Sequence, residues 1–152
     1  MQTFKAEIRT LLFALRGSPW AAHAEVQEVI SEYNHFENAG KTPTSSRRVS
    51  LQIFHASRAI DSYLAHLRRH EEIKSGRTPP TYSTLGASLR YIQRNGIGGQ
   101  RFSLPVENDI RTVKGDRNTY LHRANCFPTD GIIKLFLNRA IRAINEATTF
   151  PT

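Results

Sequence analysis

The chain has 152 residues, of which 39% are hydrophobic and 22% are charged. This length and composition exclude a disordered chain and are enough to bury one hydrophobic core. We therefore expect residues 1–152 to form a single domain. The lone cysteine, Cys126, excludes an intramolecular disulfide and a zinc site built on several thiolates, which favours a reducing, cytoplasmic setting.

The net charge is +8 at pH 7. Such a basic balance occurs both on ordinary solvated surfaces and on proteins that bind polyanions, among which nucleic acid is the commonest. The first residues carry charges where a signal peptide has its apolar stretch, and no apolar run approaches the length of a membrane span. We expect neither a secretory leader nor a membrane partner.

Helical spacing of apolar residues dominates from the start of the chain. Residues 4–15 follow the i, i+3, i+4 pattern of an amphipathic helix. A Gly-Ser-Pro sequence interrupts this pattern, with Ser18 as the expected N-cap and Pro19 as the first residue of a second helix. The second helix is expected to end at the Asn-Ala-Gly stop signal that finishes at Gly40.

A loop over residues 41–46 leads into the longest predicted helix. The apolar positions of this helix cover residues 51–67, and it ends in the charged run 68–72. The stretch 76–80, which contains glycine and proline, is the clearest break in the chain. After this break, residues 81–94 predict a shorter helix.

Two more helices are predicted in the last third of the chain. Residues 95–99 are too rich in glycine to continue a helix and indicate an exposed turn. Pro105 opens the next helix, which we expect to run to about Asn125, with Gly115 as a point of kinking or restart. A cap at residues 129–130 starts the last helix. The fold class predicted is all-α, a compact bundle of five to six helices.

The six histidines do not predict a metal site. His66 and His70 are one helical turn apart, a spacing that can chelate a metal, but the segment is rich in arginine and has no HExxH pattern. A basic, solvated helix end is the favoured interpretation. His23, His35 and His55 stand alone in the sequence and are expected on the surface or hydrogen-bonded in the core. No phosphate-cradling loop and no hydrolase nucleophile elbow occurs, so no cofactor is expected.

One short segment of the penultimate helix has a different character. On a helix, Asn118 and His122 are at i, i+4 and share one face, whereas Arg117 is offset by about 140° and about 7.5 Å from His122. A long arginine side chain can still reach towards the imidazole. Thr119 and Asn125 would flank His122 in a polar strip. A histidine in a polar, cationic strip is hard to explain as core filling.

These residue types suit the cleavage of RNA through its own 2′-hydroxyl. Histidine can accept or donate a proton near neutral pH, and arginine binds phosphate oxygens while keeping its charge. Asn118 can orient the imidazole or contact a phosphate. This chemistry requires no metal. The alternative, from spacing and charge alone, is that Arg117 and Asn118 decorate a helix surface and that His122 is a hydrogen-bonded interface residue.

The stretch from Arg117 to His122 resembles the signature of the HEPN superfamily. The signature is an arginine, a polar residue such as asparagine beside it, and a histidine after four to six intervening residues. Here Asn118 is that polar residue, and four residues separate Arg117 from His122. A late position in an all-α chain, a following apolar helix and a basic balance agree with the resemblance. The remaining sequence offers no further signature. The predicted bundle is therefore HEPN-like, with the motif on its penultimate long helix.

The resemblance implies a metal-independent endoribonuclease that leaves cyclic-phosphate ends and acts as a toxin or antiviral defence effector. It also implies a homodimer in which two motifs form one composite cleft, together with a cognate antitoxin or defence partner. Family members often add an acidic or polar residue from an earlier helix. Asp61 is our candidate for that residue and Glu107 a weaker one; a salt-bridge role is the alternative for both.

Three residues near the motif are candidates for RNA binding. Tyr120 can stack a base, and Arg123 and Lys114 can hold phosphates, because single-stranded RNA is recognised largely by stacking and backbone contacts. Packing at a dimer interface for Tyr120 and simple solvation for Arg123 are the alternatives.

Two other functions are compatible with the sequence. The first is a non-catalytic HEPN-like module that binds RNA, a nucleotide or a protein. In that case Asn118 and Tyr120 would matter while His122 could be replaced without loss. The second is a helix-turn-helix DNA-binding protein that uses residues 81–94, although the glycine-rich turn after them is not followed by a clear second helix.

Overall fold

The computed structural model describes residues 4–43 and 45–151, and in these ranges the chain forms a bundle of six α-helices. An all-α bundle of five to six helices was predicted, and the observed number is the upper end of that range. The motif lies on the fifth of these six helices, as expected. The helices are α1 (Lys5–Gly17), α2 (Ala24–Ala39), α3 (Ser45–Lys74), α4 (Leu85–Asn95), α5 (Leu104–His122) and α6 (Asp130–Ala147).

Helix α3 lies at the centre of the bundle. It packs against α2, α4, α5 and α6, while α1 packs against α2 and α6. The buried apolar side chains of all six helices belong to one cluster, because each helix turns its apolar stripe towards the same interior. No helix within the described ranges combines the length and apolar character needed to cross a bilayer.

The junction between α1 and α2 differs from the prediction. Ser18 does not cap the start of α2. It ends α1, where its hydroxyl donates a hydrogen bond to the Leu15 carbonyl oxygen at 2.7 Å. The chain then turns, and α2 begins only at Ala24. The reason is tertiary: the turn places Trp20 in the core, with none of its side chain exposed, and the indole Nε1 donates to the Phe150 carbonyl oxygen at 2.9 Å.

Helix α4 also begins later than predicted. Its N-cap is Thr84, whose hydroxyl accepts a hydrogen bond from the Ala87 backbone N–H, so the preceding residues 81–83 are not helical. The glycine turn that follows α4 is not wholly exposed, since Ile97 is fully buried within it. Gly96 has a φ of +76°, and a Cβ there would meet the Gly99 backbone at 2.9 Å, so only glycine fits this position.

The predicted boundaries of the last two helices are partly correct. Helix α5 passes through Gly115 without a break and ends at His122, not at Asn125. Asn125 lies beyond the helix with a φ of +58°, so it does not flank His122 in a polar strip as predicted. Thr129 caps α6 as expected, since its hydroxyl accepts from the Ile132 backbone N–H at 3.3 Å.

The packing of α6 generates a stability prediction that uses two leucines of one helix. Leu137 is fully buried, whereas Leu135 is 53% exposed. We expect Leu137→Ala to lower the free energy of unfolding by about 2–5 kcal/mol through lost burial and the cavity left behind. Leu135→Ala should cost less than about 1 kcal/mol. Urea unfolding of both variants measures the difference, and equal losses would contradict the described core.

Candidate active site

The last two turns of α5 present the predicted motif at the surface. Lys114, Asn118 and His122 follow one another at i, i+4 and i+8, and all three are exposed. His122 is the last helical residue, and the backbone of Arg123, which follows it, is extended. The three side chains therefore form an exposed stripe that ends where the helix ends, which leaves the imidazole accessible to a large substrate.

Arg117 lies on a different side of α5, where it meets α3. Its Nη1 donates a hydrogen bond to Oδ2 of Asp61 at 3.1 Å. Both side chains are largely shielded, with 20% of Arg117 and 29% of Asp61 exposed. The structure thus joins two residues, 56 positions apart in sequence, that were predicted separately as the catalytic arginine and the auxiliary acid.

The Arg117–Asp61 pair keeps unused hydrogen-bonding capacity. The Nε of Arg117 and the Oδ1 of Asp61 are buried and have no hydrogen-bond partner among the described residues. A buried polar atom without a partner costs free energy. The pair is therefore more than a saturated surface salt bridge, because each partner still has a free donor or acceptor atom.

Burial also changes the acidity of Asp61. Removal from water raises the pKa of the Asp61 carboxyl, while the charge and hydrogen bond of Arg117 and the charge of Arg58 lower that pKa and only partly offset the rise. The carboxyl group is consequently a weaker acid than an ordinary aspartate. Its charge depends on the two arginines that face it.

Within the described residues, no hydrogen bond or ion pair joins His122 to Arg117, Asn118 or Asp61. The arginine is held against α3, whereas the imidazole stands free at the end of α5. A single chain thus offers a positioned guanidinium and an accessible histidine. It does not offer a histidine oriented by a neighbouring side chain.

The other predicted residues have mixed positions. Tyr120 is half-buried and packs against the core, which leaves only part of its ring for a ligand. Burial, and then the charges of Asp116 and Cys126, raise the pKa of the Tyr120 hydroxyl, so the group stays protonated at neutral pH. Arg123 is exposed, as expected for a residue available to a phosphate or to solvent.

Glu107 does not join the motif. It precedes His122 by fifteen positions, or about 22 Å along α5. Its carboxylate instead accepts hydrogen bonds from Arg111 at 2.6 Å and from Gln93 at 2.8 Å. In this chain Glu107 thus forms the salt bridge that was its alternative.

A second polar cluster lies elsewhere in the bundle, and sequence patterns did not reveal it. His23, which was expected on the surface or hydrogen-bonded in the core, has its Nδ1 2.9 Å from Nε2 of His66. The ring of His70 lies 5.1 Å from that of His23, and the Trp20 indole packs edge-on against this group. His66 and His70 are thus part of a packed cluster, and the predicted solvated helix end was wrong for His66, which is buried.

The surroundings of His66, His35 and His55 differ in burial and in neighbouring side chains. Burial lowers the pKa of His66 to about 4, although the Glu25 carboxylate opposes this shift, so the ring is neutral at neutral pH. His35 is exposed, as expected, and stacks on His55 with ring centroids 5.2 Å apart. His55 Nδ1 also lies 2.7 Å from the Glu32 carboxylate.

This chain matches no protein-family model, no curated protein and no solved structure. The HEPN resemblance therefore depends on the motif and the helical architecture, and it stays a prediction.

The Arg117–Asp61 contact generates a pKa prediction. In the Arg117→Gln variant the neighbouring charge that lowers the pKa of Asp61 is lost, so that pKa should rise further above the aspartate range. A carbon-13 NMR titration of the side-chain carboxyl measures it. Arg111→Gln, on the same helix but paired with Glu107, is the matched control and should leave Asp61 unchanged.

The same variant should change stability with a defined sign. A carboxyl whose pKa is raised by folding contributes most to the free energy of unfolding below its unfolded pKa of about 3.9. This contribution is lost as the pH rises through the folded pKa. Arg117→Gln should therefore be more destabilised, relative to the wild type, at neutral pH than in acid. An unchanged Asp61 pKa in the variant would contradict the described ion pair.

Proposed function

We propose that this chain is a metal-independent endoribonuclease of the HEPN type that acts as a toxin or antiviral defence effector in the cytoplasm. The observation that carries the proposal is the arrangement of the motif. His122 is exposed at the end of α5, and Arg117 lies on another side of this helix, bonded to Asp61 of α3. The exposed cations Lys114 and Arg123, and the net charge of +8, agree with an RNA partner.

The proposed reaction uses the 2′-hydroxyl of RNA as the nucleophile. A histidine removes the 2′-hydroxyl proton as the oxygen attacks phosphorus, and the bond from phosphorus to the 5′-oxygen breaks as that oxygen receives a proton. The products are a 2′,3′-cyclic phosphate and a 5′-hydroxyl. Arg117 would stabilise the extra negative charge that develops on the phosphoryl oxygens, and Asn118 would orient the imidazole or contact a phosphate.

Asp61 acts in this proposal as a positioning residue. It holds Nη1 of Arg117, and the exposed fifth of this side chain would contact the phosphate. Because one histidine cannot donate and accept in the same step, the second proton transfer would come from His122 of a second copy. The lack of any side chain bonded to His122 in one chain supports a composite site between two copies.

The first test replaces the histidine. His122→Ala should lower the rate of RNA cleavage in EDTA by at least about 10²-fold, because a general acid–base group typically contributes 10²–10⁴-fold. Arg117→Ala should lower the rate nearly as much, since the two residues act as one unit. Cleavage is followed on a gel with labelled single-stranded RNA. His35→Ala, an exposed histidine on α2, is the matched control.

Circular dichroism must show that the variants keep their helices. Cleavage by His122→Ala at the wild-type rate would refute the mechanism. RNA that is bound but left intact by the wild-type protein would favour the second candidate, a non-catalytic HEPN-like module that binds RNA, a nucleotide or a protein. The exposure of Asn118 and of part of Tyr120, which could contact a ligand without His122, is the observation that favours this second candidate.

The composite site generates a separate prediction. If each cleft needs two copies of His122, then wild-type chains mixed with an equal amount of His122→Ala and allowed to exchange subunits should lose about half of their activity. Only about a quarter of the dimers would then carry two intact histidines. Mixing without exchange is the control. Unchanged activity after exchange, which mass spectrometry can verify, would show that each chain is complete by itself.

A further inference from the structure

We propose that His23, Glu25 and His66 bind one divalent transition metal ion, with Zn²⁺ as the expected occupant. Each of the three residues offers a ligand atom, and these atoms lie within 4.8 Å of one another. They come from the turn before α2, the first turn of α2 and the middle of α3. The site is separate from the motif on α5.

The hydrogen bonding of His66 supports this assignment. The residue is 6% exposed, and its Nδ1 has no hydrogen-bond partner among the described residues. Oε2 of Glu25 is 3.6 Å from this nitrogen, which is too far for a hydrogen bond. The Glu25 carboxylate is therefore not held by a hydrogen bond to His66 and can turn towards an ion bound at the other ring nitrogen, Nε2.

The contact between His23 and His66 supplies the second argument. Two ring nitrogens 2.9 Å apart share a single proton: one nitrogen donates its N–H, and the other accepts with its lone pair. Ligand atoms around tetrahedral zinc, each about 2.0–2.1 Å from the ion, lie about 3.3–3.4 Å apart. A small opening of the histidine pair would therefore let a metal ion take the place of the shared proton.

The donor set selects the class of ion. Two imidazole nitrogens and one carboxylate oxygen are typical zinc ligands, and three protein ligands leave the fourth position to water. The side chain of Glu25 is 43% exposed, so it can turn towards the ion and gives a path from solvent. The edge-on ring of Trp20 fixes the orientation of both histidines and keeps the far side of the site dry.

Metal binding would tie the start of α2 to α3. Asp61 and His66 are five residues apart on α3, which separates them by about 140° around the helix and about 7.5 Å along it. The ion would thus lie on the side of α3 away from the Arg117–Asp61 pair. It would stabilise the fold and take no part in the proposed RNA cleavage, which is assayed in EDTA.

The test measures metal binding directly. Protein stripped with EDTA and dialysed is titrated with ZnCl₂ by calorimetry and with CoCl₂ by visible absorption. We expect one equivalent bound, an intense tetrahedral cobalt spectrum, and a higher thermal unfolding temperature with zinc. His23→Asn and Glu25→Gln change partly exposed residues and should weaken binding at least about tenfold.

The controls use the same chemistry on α2. His35→Asn and Glu28→Gln replace exposed residues of that helix and should bind zinc as the wild type does. The absence of saturable binding in the wild type, or wild-type affinity in both His23→Asn and Glu25→Gln, would overturn the proposal. Loss of binding in the two control variants alone would overturn it as well, because it would place the ion elsewhere.

Discussion

The burial of α3 is the constraint on which the other arrangements depend. This helix has 30 residues and is packed against four other helices, so its polar side chains cannot all face water. Asp61 on one side meets Arg117 of α5, and His66 on another meets His23 before α2. A buried polar group needs a partner. The neighbours of Asp61 and His66 therefore determine where charged side chains can be buried in the bundle and where a ligand can bind.

The two polar clusters differ in what each lacks. Around Arg117 and Asp61 the charges balance, and the buried atoms without a partner are one N–H donor and one carboxylate oxygen. Around His66 the buried ring is neutral at neutral pH, and the Glu25 carboxylate lies beside it. One helix thus contributes to an ion pair on one side and to a histidine cluster on another.

Sequence patterns predicted the helices well because the apolar spacing is local. The spacing predicted an all-α bundle of five to six helices, and a cap at residues 129–130 was correctly expected to start α6. The errors have a tertiary origin. Burial of Trp20 moved the start of α2, which no local rule anticipates. The contact of His23 with His66 spans 43 positions, so single-residue inspection left both histidines without a partner. Asp61 was named beside the motif only by resemblance, and the fold brings it to Arg117.

Trp20 gives the molecule an optical property of its own. It is the sole tryptophan of the chain, its indole N–H is bonded to the Phe150 carbonyl, and three imidazole rings lie edge-on within 5.6 Å of its ring. Departure of the segment around Phe150 would admit water and shift the emission of the indole to longer wavelength. A change of charge on the neighbouring rings would instead alter the quantum yield. One fluorophore therefore distinguishes loosening of the terminal segment from chemistry at the histidines.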